Sequence, residues 1–305
     1  MALHGLMSIT LGVPEVEPVR AFYEEFGLTS TGGALATADG GAQLHLVPRP
    51  WRQLVELVVG ADDPDDIARV RAAAAARDLP VVATATGIAL HEAHTRVDVR
   101  IEVHPRIVQK PVEPGAWNGP GSIDRPNERP PTLYQGEDAR PRRLGHIALA
   151  SPDVAASSDF FINVVGCKLS DDVQGIIQFL RCSPDHHNVA LVDAPLPFLH
   201  HTSWQMESFD AIGHGATRVL NGGPDRHVWG LGRHFLGSNL FWYLRDPAGN
   251  YAEYYADLDQ IVDDAAWMAR SWGPDKALYV WGPPPTEEAL RPRDLDEIAQ
   301  AMAQG

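Results

Sequence analysis

The feature that most constrains how this chain can fold is a repeat inside it. Residues 9–27 read ITLGVPEVEPVRAFYEEFG, and residues 147–166 read IALASPDVAASSDFFINVVG. Each is a short apolar strand, then a turn of proline and an acid, then an amphipathic helix with aromatics on one side that stops at glycine. Ile9, Pro14, Val16 and Phe22 match Ile147, Pro152, Val154 and Phe160 at one constant offset. The elements that follow recur as well. In the first half, strands are expected over 43–47 and 54–59. An Ala-rich helix over Asp65–Asp78 comes next, its acidic start suited to the helix dipole. Strands over 81–84 and 97–103 close that half, and VDVRIEV in the last alternates with period two. In the second half, strands are expected over 176–180, 189–192 and 201–207, a helix near 209–220, and strands near 239–244 and 251–255. Strand, helix and several strands, used repeatedly, predict an α+β fold with mixed, mainly antiparallel sheets.

The halves are separated by a Pro-rich stretch, residues 105–141, containing PNERPP. It cannot form a regular helix and reads as a linker over the surface. The expected organisation is therefore an N-terminal pair of modules over 1–104, this linker, a C-terminal domain over 142–258, and a tail over 259–305. The tail carries Trp267, Trp272, Trp281 and GPPP, and its aromatics predict docking on the body or on another subunit. A final amphipathic helix is expected near 294–302.

Bulk properties narrow the functional classes. The chain has 305 residues, 44% of them hydrophobic and 21% charged, which is ordinary for a soluble globular protein with a sizeable core. Only two cysteines occur, Cys167 and Cys182, with no CxxC. That argues against a disulfide framework or a thiolate zinc site and suits a reducing, cytoplasmic setting. The N-terminus does not read as a signal peptide, and no apolar run reaches the length of a membrane helix. A net charge of −15 without a basic patch speaks against nucleic-acid binding.

Among thirteen histidines, few have the spacing that chemistry demands. His146 lies on a strand in RLGHIAL, His201 on a later strand in FLHHTSW, and Glu253 on the last strand in DPAGNYAEYY. Two imidazoles and a carboxylate on neighbouring strands can occupy one face of an octahedral ion. The other face then stays open, as in non-heme Fe(II) oxygenases. The repeat supplies an internal control: Ser8 stands where His146 stands, and Glu102 lies near the place of Glu253 without a histidine partner. The first copy is therefore expected to be metal-free. His91 and His94, in HEAH, fall at an expected strand connection without a third ligand and are read as structural.

These residues resemble the type I extradiol ring-cleaving dioxygenases of the vicinal oxygen chelate superfamily, such as catechol, biphenyldiol and homoprotocatechuate 2,3-dioxygenases. The resemblance covers residues 1 to about 260 and is strongest from 143 to 255. Its most specific stretch is GRHFLGSNLFWYLRDPAGNYAE, with His234, Tyr243, Asp246, Pro247, Gly249 and Glu253 in the family's places. Trp242 departs from the smaller residue usual there. The resemblance implies two tandem domains of paired βαβββ modules, the metal lying in a funnel of the second. It prefers His201 to His200 as ligand, a choice that strand alternation supports. It also places an acid/base histidine fourteen residues before the second metal histidine, which is His187 here. The adjacent His186 is read as a neighbour without a chemical role.

The activity so implied is extradiol (meta) cleavage of a catecholic ring by dioxygen, giving a ring-opened semialdehyde or keto acid. The metal is expected to be Fe(II), with Mn(II) as an alternative because affinity alone does not select between them. His187 would move the substrate proton, while His234 and Tyr243 would hydrogen-bond the substrate oxygens. Homo-oligomers are usual in such families. Two other readings are carried forward: a glyoxalase-like or hydroxyphenylpyruvate-type enzyme of the same superfamily, and a non-catalytic binding protein of the bleomycin-resistance kind.

Overall fold

The computed structural model describes residues 3–112, 115–134, 136 and 139–304; five positions of the Pro-rich linker and the extreme termini lie outside the described residues. The first half contains β1 (Leu3–Val13), α1 (Val16–Glu25), β2 (Thr29–Thr31), β3 (Ala34–Thr37), β4 (Gly41–Pro48), β5 (Gln53–Ala61), α2 (Pro64–Ala75), β6 (Val82–Ala83), β7 (Gly87–Glu92) and β8 (Val97–Val103). They form one eight-stranded sheet in the order β2-β3-β4-β1-β5-β8-β7-β6. The described residues of the linker include a small hairpin, β9 (Asn118–Gly119) and β10 (Ser122–Ile123), and a short 3-10 turn at Pro131–Tyr134.

The second half repeats the plan with β11 (Arg143–Ser151), α3 (Val154–Asp159), β12 (Lys168–Val173), β13 (Ile177–Arg181), β14 (Val189–Asp193), β15 (Phe198–Gln205), α4 (Phe209–Gly222), β16 (His227–Arg233), β17 (Leu240–Arg245) and β18 (Tyr251–Ala256). Its sheet order, β12-β13-β14-β11-β15-β18-β17-β16, is that of the first sheet moved along the chain. Each sheet is two βαβββ modules joined back to back. Within a module the first and last strands run parallel, as in β11 with β14 and β15 with β18. The modules meet at an antiparallel pair, β1 with β5 and β11 with β15.

Local sequence explains the helices. Asp63 caps α2 by accepting from the Asp65 and Asp66 amides, and Pro64 sits where a missing N–H costs nothing. Asp153 and Ser208 cap α3 and α4 in the same way. Gly27 after α1, and Gly166 after the π-helical segment Phe160–Val165 that continues α3, have φ of 109° and 99°, which lets the chain reverse into the next strand.

Both sheets contribute to one continuous core. Phe26 stacks on Tyr254 with ring centroids 3.9 Å apart, and the Tyr254 hydroxyl donates to the Phe26 carbonyl at 2.5 Å. The tail docks on the second half: Trp267 donates to the Ser170 carbonyl, Trp272 to Asp171, and Trp229 to the Pro283 carbonyl. Short helix α5 (Glu287–Leu290) and α6 (Leu295–Gln304) complete the chain. Arg52, almost fully buried, grips Asp294 with two hydrogen bonds of 2.5 and 2.7 Å and so ties the tail to the first sheet. Among the described residues no helix is long and apolar enough to cross a membrane.

The expected elements are present, with differences at the edges. β2, β3, β7, β12, β16 and the linker hairpin fall outside the expected strands, and HEAH is no simple connection, because His91 lies within β7 and only His94 falls in the following turn.

Candidate metal centre

The register of the second sheet brings three side chains to one face. His146 is opposite Ser203, His201 is opposite Ala148, and Glu253 is opposite Ser203 from the other side. His146, His201 and Glu253 therefore surround one small residue and share its face of the pleat. Each offers a ligand atom, and these atoms lie within 4.8 Å of one another; no other such cluster occurs among the described residues.

His146 Nε2 is 3.0 Å and His201 Nε2 is 3.6 Å from Glu253 Oε2. Cis ligands of an ion bound at about 2.1 Å stand roughly 3 Å apart. Glu253 is fully buried, yet its Oε2 accepts no well-directed hydrogen bond from the described residues. A buried carboxylate oxygen that close to two imidazole nitrogens, and bonded to neither, has the donor set and the vacant direction of a divalent cation site. Burial pushes the Glu253 carboxyl up, but the surrounding histidines outweigh it and hold it well below the usual range, so it is a carboxylate. Burial lowers His201 well below its ordinary value, leaving a neutral imidazole, the form that binds metal.

The hydrogen bonds around His201 also fix which nitrogen is free. His200 Nε2 meets the Ala289 carbonyl at 3.0 Å, and a carbonyl only accepts, so Nε2 carries the proton. Burial brings His200 down to about 4, so it is neutral and its Nδ1 is a bare acceptor. That atom lies 2.7 Å from His201 Nδ1, which must then be the donor. The lone pair of His201 is left on Nε2, toward Glu253.

His187 lies in the turn between β13 and β14, its ring 4.2 Å from that of His146. Burial, and then the neighbouring imidazoles of His146 and His186, hold it well below its ordinary value. Its Nδ1 meets His186 Nδ1 at 3.0 Å. His234, just after β16, gives Nδ1 to the Leu278 carbonyl of the tail, and its Nε2 is 3.1 Å from the Tyr243 hydroxyl and 3.7 Å from Glu253 Oε1. Tyr243 faces Glu253 across the β17–β18 pair. Burial and the Glu253 charge raise its hydroxyl well above the ordinary value, so it stays protonated. His146, His187, His201, His234 and Tyr243 all line one cavity of about 180 Å³, walled by Phe179, Leu236 and other apolar side chains and roofed by the tail at Leu278 and Ala289. Sequence reasoning missed the Leu278 and Ala289 carbonyls of the tail, because nothing in their local sequence marks them.

The first sheet carries the degenerate copy. Its register puts Ser8, Glu56 and Arg100 where the second has His146, His201 and Glu253. Glu102, expected near the Glu253 position, lies two residues beyond it, at the place of Tyr255. Arg100 pairs instead with Glu56 at 3.4 Å, and also with Glu102.

Residues 143–254 match the model of the Glyoxalase/Bleomycin resistance protein/Dioxygenase superfamily. Over 302 residues, 95% of this chain and 92% of the relative, the sequence is 30% identical to metapyrocatechase 2 of Cupriavidus necator. This chain belongs to the extradiol dioxygenase family. A biphenyl-2,3-diol 1,2-dioxygenase of Metapseudomonas furukawaii is 26% identical over 88% of this chain and 90% of its own length. In fold, the chain is similar to a Mn(II)-bound glyoxalase from Novosphingobium aromaticivorans, with a TM-score of 0.70 at 23% identity, covering 92% of this chain and 93% of that one. The tandem arrangement of paired modules is thus the family's architecture, and the three-residue cluster lies in the segment that matches the superfamily model.

Proposed function

We propose that this chain cleaves the ring of a catecholic substrate by the extradiol route, using a divalent metal ion held by His146, His201 and Glu253. The observation that carries this reading is the buried Glu253 oxygen facing two imidazole nitrogens at the base of an apolar cavity. Membership of the extradiol family supports it. Ferrous iron is the ion we assign, with manganese as the alternative.

An ion held by His146, His201 and Glu253 would supply the Lewis-acid and electron-transfer chemistry that joins a diol to dioxygen. The chain's residues do the rest. His187, neutral and facing the cavity, accepts a proton from the diol and returns it as the oxygen–oxygen bond breaks. Tyr243, protonated, and His234 hydrogen-bond the diol oxygens as their charge changes. Phe179, Leu236 and Ala148 line the remaining wall and exclude water from it. The ring bond beside a hydroxyl-bearing carbon breaks, and both atoms of dioxygen end in the ring-opened product.

The test is anaerobic reconstitution of the full chain with Fe(II) or Mn(II), followed by oxygen uptake with a panel of substituted catechols. The expected result is stoichiometric oxygen consumption with a yellow ring-opened product. A metal-loaded chain that consumes no oxygen with any catechol refutes the reading.

A further inference from the structure

His186 is completely buried and stands beside the cavity without entering it. Its two ring nitrogens are both engaged. Nε2 is 3.0 Å from Asp171 Oδ2, and Nδ1 is 3.0 Å from His187 Nδ1. Asp171, on edge strand β12, is held from its far side by the tail: its Oδ1 accepts from the Arg270 amide at 2.9 Å and from Trp272 Nε1 at 3.0 Å. Burial pushes the Asp171 carboxyl up, but the hydrogen bonds from His186, Trp272 and Arg270 outweigh it and keep it below the usual range. It is therefore a carboxylate that can only accept.

We propose that Asp171 and His186 are positioning residues that set the tautomer of His187. The logic is one of donors and acceptors. In the relay so proposed each imidazole carries a single N–H, and Asp171 takes that of His186 at Nε2. His186 Nδ1 is then a bare acceptor, so His187 must donate from Nδ1. The lone pair of His187 is left on Nε2, the nitrogen free to face the cavity. An orienting carboxylate behind a basic histidine is a recurrent device in proton transfer; here a second histidine stands between the two. The arrangement mirrors the chain of Ala289, His200 and His201 at the metal ligand. In both His-His pairs of the sequence the first residue points the second. This inference rests on the reading of His187 as the proton-transfer group.

Asp171→Asn is the decisive variant. Its carboxamide oxygen stays with the Arg270 and Trp272 donors, which turns its NH2 toward His186. His186 then carries its proton on Nδ1, and His187 is forced to the Nε2–H form. Long-range 1H–15N spectra of the full, metal-free chain labelled in histidine read this directly. The wild type is expected to show His187 protonated at Nδ1, and Asp171→Asn to show it protonated at Nε2. After iron loading, Asp171→Asn should lose about 100-fold in kcat with KM and iron content unchanged. His186→Asn places an amide oxygen as acceptor near His187 Nδ1, without need of Asp171. Adding it to Asp171→Asn should therefore restore the Nδ1–H form and bring kcat to that of His186→Asn alone.

A His187 protonated at Nε2 in the wild type overturns the proposal. So does an Asp171→Asn enzyme with unchanged tautomer and kcat, or a double variant whose losses simply multiply. The spectra read the relay without turnover. A wrong acid–base assignment, exposed by an active His187→Phe enzyme, is therefore a separate result from a wrong relay.

Discussion

Arg100 occupies in the first sheet the register position that Glu253 occupies in the second, and it pairs with Glu56, which stands at the place of His201. A guanidinium cannot ligate a cation, and its charge repels one. The purified, iron-loaded chain should therefore bind one ion at the second sheet. Glu253→Ala should lower metal affinity by more than about 100-fold, whereas Glu56→Ala should leave metal content unchanged. Elemental analysis after gel filtration separates these; full metal in Glu253→Ala refutes the ligand set.

His187 touches the ring of His146 but is not itself placed to bind the ion. Replacement by phenylalanine keeps the shape of the wall and removes the nitrogens. His187→Phe should retain its iron and its fold while kcat drops by about 10²–10⁴-fold. Steady-state oxygen uptake alongside iron analysis is the check, and near-normal turnover contradicts the proton-transfer role.

The tail is anchored at Asp294, which closes a two-pronged ion pair with the buried Arg52. Arg52 also donates to the Leu199 carbonyl at 2.8 Å, on the strand that carries His201. Asp294→Asn leaves a buried guanidinium short of its partner. Because the Asp294 side chain is a quarter exposed, the expected cost is about 2 kcal/mol, less than for a fully buried pair. Differential scanning calorimetry should show Tm lower by several degrees; an unchanged Tm contradicts the anchoring role.

Asp185 gives a pH-dependent test. Burial pushes its carboxyl up, but the Arg143 charge and hydrogen bond and the Gln260 amide outweigh that and hold it below its ordinary 3.8. The folded state therefore binds this proton less tightly than the unfolded chain. The stabilisation is present above about pH 4 and is lost as pH falls through the lower, folded value. Asp185→Asn should cost about 2 kcal/mol at pH 7 by removing the charge partner of half-buried Arg143, which keeps its hydrogen bonds to Gln109 and Gln205. Denaturant titrations should show the gap between wild type and variant narrowing below pH 4. A gap that is constant with pH assigns it to packing instead.

The sequence by itself determined the repeat, the α+β class, the main helices, and the residue types of the candidate centre. Those signals are local: apolar periodicity, an acidic helix start, a glycine where the backbone turns left-handed, and the run from His234 to Glu253. Tertiary structure alone decided the rest. Register shifts between Leu144 and His146 and between Ala148 and Leu149 settle which residues face each other across β11 and β15. The parallel registers that follow, Val58 with Arg100 and Ser203 with Glu253, are why Arg100, and not Glu102, answers to Glu253. Strand β12, KLSDDV, has no apolar alternation to announce it; Asp171 is buried there because the tail, about a hundred residues later, covers that edge. The same long-range contact gives His186 its partner, just as the Ala289 carbonyl gives one to His200. A histidine's tautomer depends on what its other nitrogen meets, and in this chain those partners come from segments remote in sequence.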